Sequence, residues 1–228
     1  MAVREDPRHL TGAGLPVRRD RPEWALAAAA LCSGAALVAS VLLGLSLLVT
    51  IVGGVLLSAA LIGHRLRSTN PRVRALLKRR LGYGVVAGIA ATAAYDLGRL
   101  VVVLSAGLHA SPFEMIPRFG MAILGADVDP RLVVAVGVLY HVLNGVSFAI
   151  AYVILFGGRA WGFGVAWAFG LELLMLLVYP RWLGVASLGE EFTIVSGTGH
   201  LCYGAAIGLV GRRAIGFERF ALGRNRAR

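Results

Sequence analysis

The sequence predicts an all-α integral membrane protein with six transmembrane helices. Its 228 residues are 57% hydrophobic, with a mean hydropathy of +0.75. They include several apolar runs of about twenty residues, the length that a helix needs to cross a hydrocarbon core of about 30 Å. Long runs such as 31–62 do not alternate between polar and apolar residues, as the strands of a membrane-spanning barrel would. Helices are therefore the predicted spanning elements.

Basic residues cluster at the ends of the apolar runs and set the predicted orientation. The net charge is +11, and both the N-terminal tail, 1–23, and the segment 64–81 are rich in arginine. Such segments prefer the cytoplasm, so an even number of crossings must separate them. Because no separate basic domain exists that could bind nucleic acid, we assign the charge to membrane topology and expect no nucleic-acid partner.

The first apolar segment, 24–63, is too long for one span. As a single helix it would measure about 60 Å, twice the thickness of the hydrocarbon core. We predict a hairpin of two spans, 25–43 and 46–63, with a tight turn at Gly44-Leu45-Ser46. The basic segment 64–81 is then a cytoplasmic loop, in which Asn70-Pro71 could start a short amphipathic helix on the membrane surface.

Four further spans make up the predicted core, 82–211. The connections 109–131 and 180–191 are much less basic than 64–81, so we place them on the outer side of the membrane. The basic tail, 212–228, returns to the cytoplasm. The predicted core spans are 82–107, 132–156, 161–179 and 192–210.

Each core span carries ionisable or amide side chains. A rise of 1.5 Å per residue places them about 10 to 16 Å from the outer ends of the spans, which is one common depth. An isolated ionisable group there costs about 3 kcal/mol or more, so these groups should face the protein interior and pair. They are Asp96 and Arg99 on the third span, His141 and Asn144 on the fourth, Glu172 on the fifth and His200 on the sixth.

This set of side chains suggests a metal site in the outer half of the bilayer. His141 and His200 would supply nitrogen ligands, and Asp96 and Glu172 oxygen ligands, to a transition metal such as Zn, Fe or Mn. The four should then converge within about 5 Å of a common point. A redox protein or a metal-dependent enzyme is the corresponding function. The expected outer partners of the ligands are Arg99, Asn144 and Tyr203.

Three alternatives remain open from the residues alone. His141 and His200 could be the axial ligands of a b-type haem. The Asp, Glu and His residues could form a path for protons or small solutes. Alternatively, Asp96 could pair with Arg99 on its own helix while the other groups hold helices together, in a structural or accessory subunit of a larger membrane complex.

Glycines at helical spacing predict close helix packing. Gly84 and Gly88 form one such pair on the third span. On the sixth span, Gly197, Gly204, Gly208 and Gly211 surround His200, which predicts that the face bearing the imidazole contacts another helix.

Three short motifs resemble a family. GIAATAAYD at 88–96, HVLNG at 141–145 and GHLCYG at 199–204 are similar to segments in the four-span core of uncharacterised bacterial inner-membrane proteins of the YagU-like kind. The resemblance covers about 82–211. It implies a location in the bacterial cytoplasmic membrane and no particular reaction, and it makes the first two spans an addition to the core.

Overall fold

The computed structural model describes residues 24–178 and 189–224, and within these ranges it is all α-helical, without strands. The predicted all-α fold class is therefore confirmed. The N-terminal tail, most of the predicted outer connection 180–191 and the last four residues lie outside the described residues. The described helices are α1 (Trp24–Ala30), α2 (Cys32–Leu43), α3 (Leu47–Ser68), α4 (Pro71–Ala106), α5 (Met115–Leu124), α6 (Pro130–Phe156), α7 (Gly162–Val178) and α8 (Gly189–Arg224).

Four of the described helices, α3, α4, α6 and α8, are long and apolar enough to cross a membrane. Helices α1 and α2 make a fifth if the bent pair counts as one span. Helix α7, predicted as the fifth span, is apolar but has only 17 described residues. These lengths support a multi-pass membrane protein. The count of six spans and the cytoplasmic location of both termini stay predictions.

The first predicted span, 25–43, is bent. Helices α1 and α2 meet at 64°, with Leu31 between them. The adjacent Ser33-Gly34 pair is a typical site for a sharp kink, and the ring of Phe148 packs against Gly34 where a β-carbon would collide with it. The span predicted over 25–43 therefore consists of two short helices with a bend between them. The predicted turn is confirmed, because Gly44 ends α2 in the left-handed conformation with φ 65°.

The basic segment 64–81 is helical except at Thr69 and Asn70, so it forms the end of α3 and the start of α4 and is not irregular. Its cytoplasmic location stays a prediction. The predicted helix start is confirmed, since the Asn70 side chain accepts a hydrogen bond of 2.9 Å from the Val73 N–H, and Pro71 occupies the first turn. From there α4 continues for 36 residues, about 54 Å. The basic residues after Pro71 thus extend a membrane helix and do not form a separate surface helix.

Glycines allow the core helices to pack closely, as predicted. Helix α4 packs against both α6 and α8, and α7 packs against α8. Gly84 and Gly88 face the backbone of α6 at Ile150 and Val146. On α8, Gly204 and Gly208 face the N-terminal part of α7 and the residues just before it. At each of these glycines a β-carbon would collide with backbone atoms of the neighbouring helix.

Helix α5 was not predicted, because its ten residues lie in a connection and are too few to cross a membrane. It packs against α6, with Gly120 next to the Val133 carbonyl and Gly137 next to the Ile116 carbonyl. Its Met115 and Phe119 are buried in a core cluster. Helix α5 therefore adds apolar side chains beside the polar residues of α4 and α6.

Candidate functional site

His141 pairs with Asp96 across the interface between α6 and α4. The imidazole Nε2 lies 3.0 Å from Oδ1 and 3.2 Å from Oδ2 of the carboxylate. Both side chains are largely shielded from solvent. The carboxylate therefore fixes the orientation of the ring through Nε2. The other ring nitrogen, Nδ1, takes no part in this pair.

His200 pairs with Glu172 across the interface between α8 and α7. Its Nδ1 lies 2.7 Å from Oε2 of Glu172 and 3.0 Å from the carbonyl oxygen of Ser196. The Ser196 hydroxyl donates a further hydrogen bond of 2.9 Å to the same carboxylate oxygen. Because both neighbours of Nδ1 are acceptors, Nδ1 carries a proton. The free lone pair of a neutral ring is then on Nε2.

Tyr95 brings the two pairs into one cluster. Its ring centre lies 5.6 Å from that of His141 and 5.0 Å from that of His200. Sequence analysis did not identify Tyr95, although it directly precedes Asp96 and stands one helical turn before Arg99. The two histidines, which were predicted to lie at one depth, thus both contact the ring of Tyr95.

Arg99 is a buried charge with two guanidinium nitrogens that lack hydrogen bonds among the described residues. It is only 2% exposed, and its Cζ lies 5.0 Å from the centre of the Tyr95 ring. Within the part of the chain that the structure describes, its Nε and Nη2 have no hydrogen-bond partner. The alternative in which Arg99 neutralises Asp96 on their own helix is wrong, because the Asp96 carboxylate bonds His141 instead.

The glycine pattern around His200 is only partly as predicted. No atom of a neighbouring element lies close to Gly197, so this glycine does not mark a helix contact among the described residues. Gly199 has that role, because Tyr95 and the Arg99 side chain pack directly against it. A β-carbon at Gly199 would displace both side chains.

The four predicted metal ligands form two pairs. In the ranges 24–178 and 189–224, no group of three or more His, Cys, Asp or Glu side chains is arranged to hold a metal ion. Of the predicted outer partners, Tyr203 donates to the Gly145 carbonyl at 2.6 Å, and the Asn144 carbonyl oxygen has no hydrogen-bond partner in the described part of the chain. This geometry does not support the predicted ligand set. Binding of a transition metal or of haem stays a prediction, which elemental analysis and a visible spectrum test.

The cluster lies at a cavity of about 530 Å³. Its polar lining comes from α4, α6 and α8, whereas α2, α5 and α7 supply apolar side chains. Sequence analysis missed this cavity, because it depends on how α2 and α5 pack on the core. The polar lining is Thr92, Tyr95, Arg99, His141, Asn144, His200 and Tyr203; the apolar lining includes Val38, Leu42, Met115, Phe119, Leu174 and Met175.

Comparison of the chain with protein-family models, with curated proteins and with solved structures finds no match. The chemistry of the site therefore has to be inferred from its own residues.

Unpaired polar atoms at the cavity indicate what it can bind. Besides Arg99, the Thr92 hydroxyl and the Asn144 carbonyl oxygen are buried without a hydrogen-bond partner among the described residues. Buried polar groups are normally hydrogen-bonded, and leaving one unpaired costs about 1 to 3 kcal/mol. A ligand with one polar end and one apolar end would satisfy these groups and fill the apolar part of the cavity.

Proposed function

We propose that this protein binds an amphipathic small molecule within the membrane. The polar head group lies against Arg99 and the neighbouring cluster, and the apolar part lies between α2, α5 and α7. The observation that carries this proposal is the unpaired guanidinium of Arg99 at the edge of a largely apolar cavity.

The buried guanidinium needs a counterpart. Arginine keeps its charge in proteins, and an uncompensated charge in a low-dielectric interior costs several kcal/mol. Asp96 and Glu172 each bond a histidine, and among the described residues neither accepts a hydrogen bond from Nε or Nη2 of Arg99. A ligand head group that accepts hydrogen bonds would supply this counterpart.

The apolar part of the cavity suits a molecule that dissolves in the bilayer. Its volume lies within the range of about 300 to 1,000 Å³ typical of small-molecule sites. Leu42 on α2 is 70% exposed and Leu174 on α7 is 48% exposed, and both also line the cavity. The site is therefore accessible from a surface that lipid would cover.

The direct test is to identify what purifies with the protein. We expect native mass spectrometry of protein released from membranes in a mild detergent to show a bound amphiphile at near-stoichiometric level. Ala39→Phe, which places a ring in the apolar part, should abolish this occupancy. Ala28→Phe is the matched control, because Ala28 is exposed and does not line the cavity. A wild-type protein that is empty under these conditions, or equal occupancy in both variants, would contradict the proposal.

A second candidate is proton transfer. The observation that favours it is the row of titratable side chains, with one carboxylate–imidazole pair on each side of the Tyr95 contacts. Such chains relay protons in membrane proteins. Proteoliposomes with a pH-sensitive dye inside should then show proton flux that Glu172→Gln removes. Equal flux with and without the protein would exclude this candidate.

A further inference from the structure

We infer that the head group of the ligand is a carboxylate, so that the ligand is a long-chain carboxylic acid. This inference rests on the proposed function and specifies its ligand class. It follows from which atoms of Arg99 are unpaired and from the charges of the groups around them.

The unpaired atoms of Arg99 are Nε and Nη2. Their N–H groups lie side by side on one edge of the planar guanidinium and point in nearly the same direction. A carboxylate presents two oxygens in one plane at matching spacing, so the two groups form a pair of parallel hydrogen bonds. A hydroxyl head group offers a single oxygen and would leave one of these donors unpaired.

The surrounding charges favour a head group with a single negative charge. Asp96 and Glu172 bring two carboxylates to the cluster, each of them bonded to a histidine. The other ionisable side chains that line the cavity among the described residues are His141, His200, Tyr95 and Tyr203. A phosphate monoester carries a charge of about −1.5 to −2 at pH 7, and its repulsion by two nearby carboxylates would exceed that of a monoanion. A neutral head group would not form an ion pair with Arg99.

A further donor lies on the wall of the cavity. Asn144 lines the cavity and carries an amide NH₂. Together with the two N–H groups of Arg99, it offers donors to an acceptor, as recognition of a carboxylate requires.

The test compares three probes with the same alkyl chain. Purified full-length protein in nanodiscs is titrated with palmitate, hexadecanol and hexadecyl phosphate, each in competition with a fluorescent fatty acid. We expect palmitate to bind roughly tenfold or more tightly than hexadecanol, because hydrogen bonds to a charged group stabilise more than neutral ones. Hexadecyl phosphate should bind more weakly than palmitate.

Variants of Arg99 test the geometry. Arg99→Met should remove the preference for palmitate over hexadecanol. Arg99→Lys keeps the charge without the two parallel donors, and the preference should fall below that of the wild type. Arg159→Met is the control, because Arg159 stacks on Phe163 and does not line the cavity. Thermal unfolding identifies any variant that fails to fold. If Arg99→Met does not fold, the comparison of Arg99→Lys with the wild type tests the geometry.

The outcomes separate this inference from the proposed function. Equal binding of palmitate and hexadecanol, or tighter binding of hexadecyl phosphate, would overturn the carboxylate head group and leave an amphiphile site. If Arg99→Lys prefers palmitate over hexadecanol as strongly as the wild type does, the two parallel hydrogen bonds are ruled out. No binding of any probe, together with an empty purified protein, would overturn the proposed function itself.

Discussion

The Glu172 carboxylate stabilises the interface of α7 and α8 through two partners. It is 5% exposed and contacts both His200 and Ser196. Glu172→Leu should lower the free energy of unfolding by about 3 kcal/mol, because it leaves buried polar partners uncompensated. Glu190→Leu is the control, since Glu190 is exposed in the first turn of α8, and it should have little effect. Equal thermal stability of the two variants would show that the pair adds nothing.

Two buried tyrosines provide a matched comparison of hydrogen bonding. The Tyr203 hydroxyl donates to the Gly145 carbonyl, whereas the Tyr152 hydroxyl has no partner in the described ranges; both rings belong to one core cluster. Tyr203→Phe should destabilise the protein by about 1 kcal/mol. Tyr152→Phe should be neutral or stabilising, because it removes an unsatisfied polar atom. Thermal unfolding in the same detergent measures both, and the opposite order would contradict these assignments.

The residues of the polar cluster could be predicted, but their pairing could not. Helical rise gave Asp96, His141, Glu172 and His200 a common depth, and their cost in lipid required them to face inward. The rise per residue does not determine how each helix is rotated about its own axis relative to its neighbours. From the sequence, Asp96 could bind a metal or pair with Arg99. Only the packed structure shows that it bonds His141, and that among the described residues Nε and Nη2 of Arg99 have no hydrogen-bond partner.

Two glycines on α4 allow close helix packing to be tested within one element. Gly88 packs against the backbone of α6 at Val146, whereas nothing lies near Gly82. Gly88→Ala should destabilise by about 1 to 3 kcal/mol, because the added methyl group forces the helices apart. Gly82→Ala should be neutral or stabilise by up to about 1 kcal/mol through its higher helix propensity. Thermal unfolding in which Gly88→Ala matched Gly82→Ala would exclude a tight contact.

Element lengths were predictable where the apolar runs were long, and less so elsewhere. The hydropathy of α3, α4, α6 and α8 identified them as spans. The bend between α1 and α2 depends on tertiary contacts such as that of Phe148 with Gly34. Helix α5 packs on α6, and its ten residues are too few to be recognised as a membrane span.

The topology of the whole molecule can be tested by labelling single cysteines in a background without Cys32 and Cys202. Six spans predict that Trp24→Cys and Thr69→Cys react from the cytoplasmic side. Ser46→Cys and Ala126→Cys should react from the outer side, because the basic segments stay inside. If Trp24→Cys reacts from the same side as Ser46→Cys, the bent pair is a re-entrant loop and the count falls to five. Association with other membrane subunits also stays a prediction, which the mass of the detergent-solubilised particle tests.

Helix α2 lies outside the group of helices that holds the polar residues, yet it forms one wall of the cavity. In the proposed site, different parts of the protein therefore recognise different parts of the ligand. Residues after position 90 contact the head group, whereas α2 limits the length and width of the hydrocarbon tail. Exchanging Val38 or Leu42 for larger or smaller residues should consequently shift the preferred chain length while the preference for one head group over another is retained.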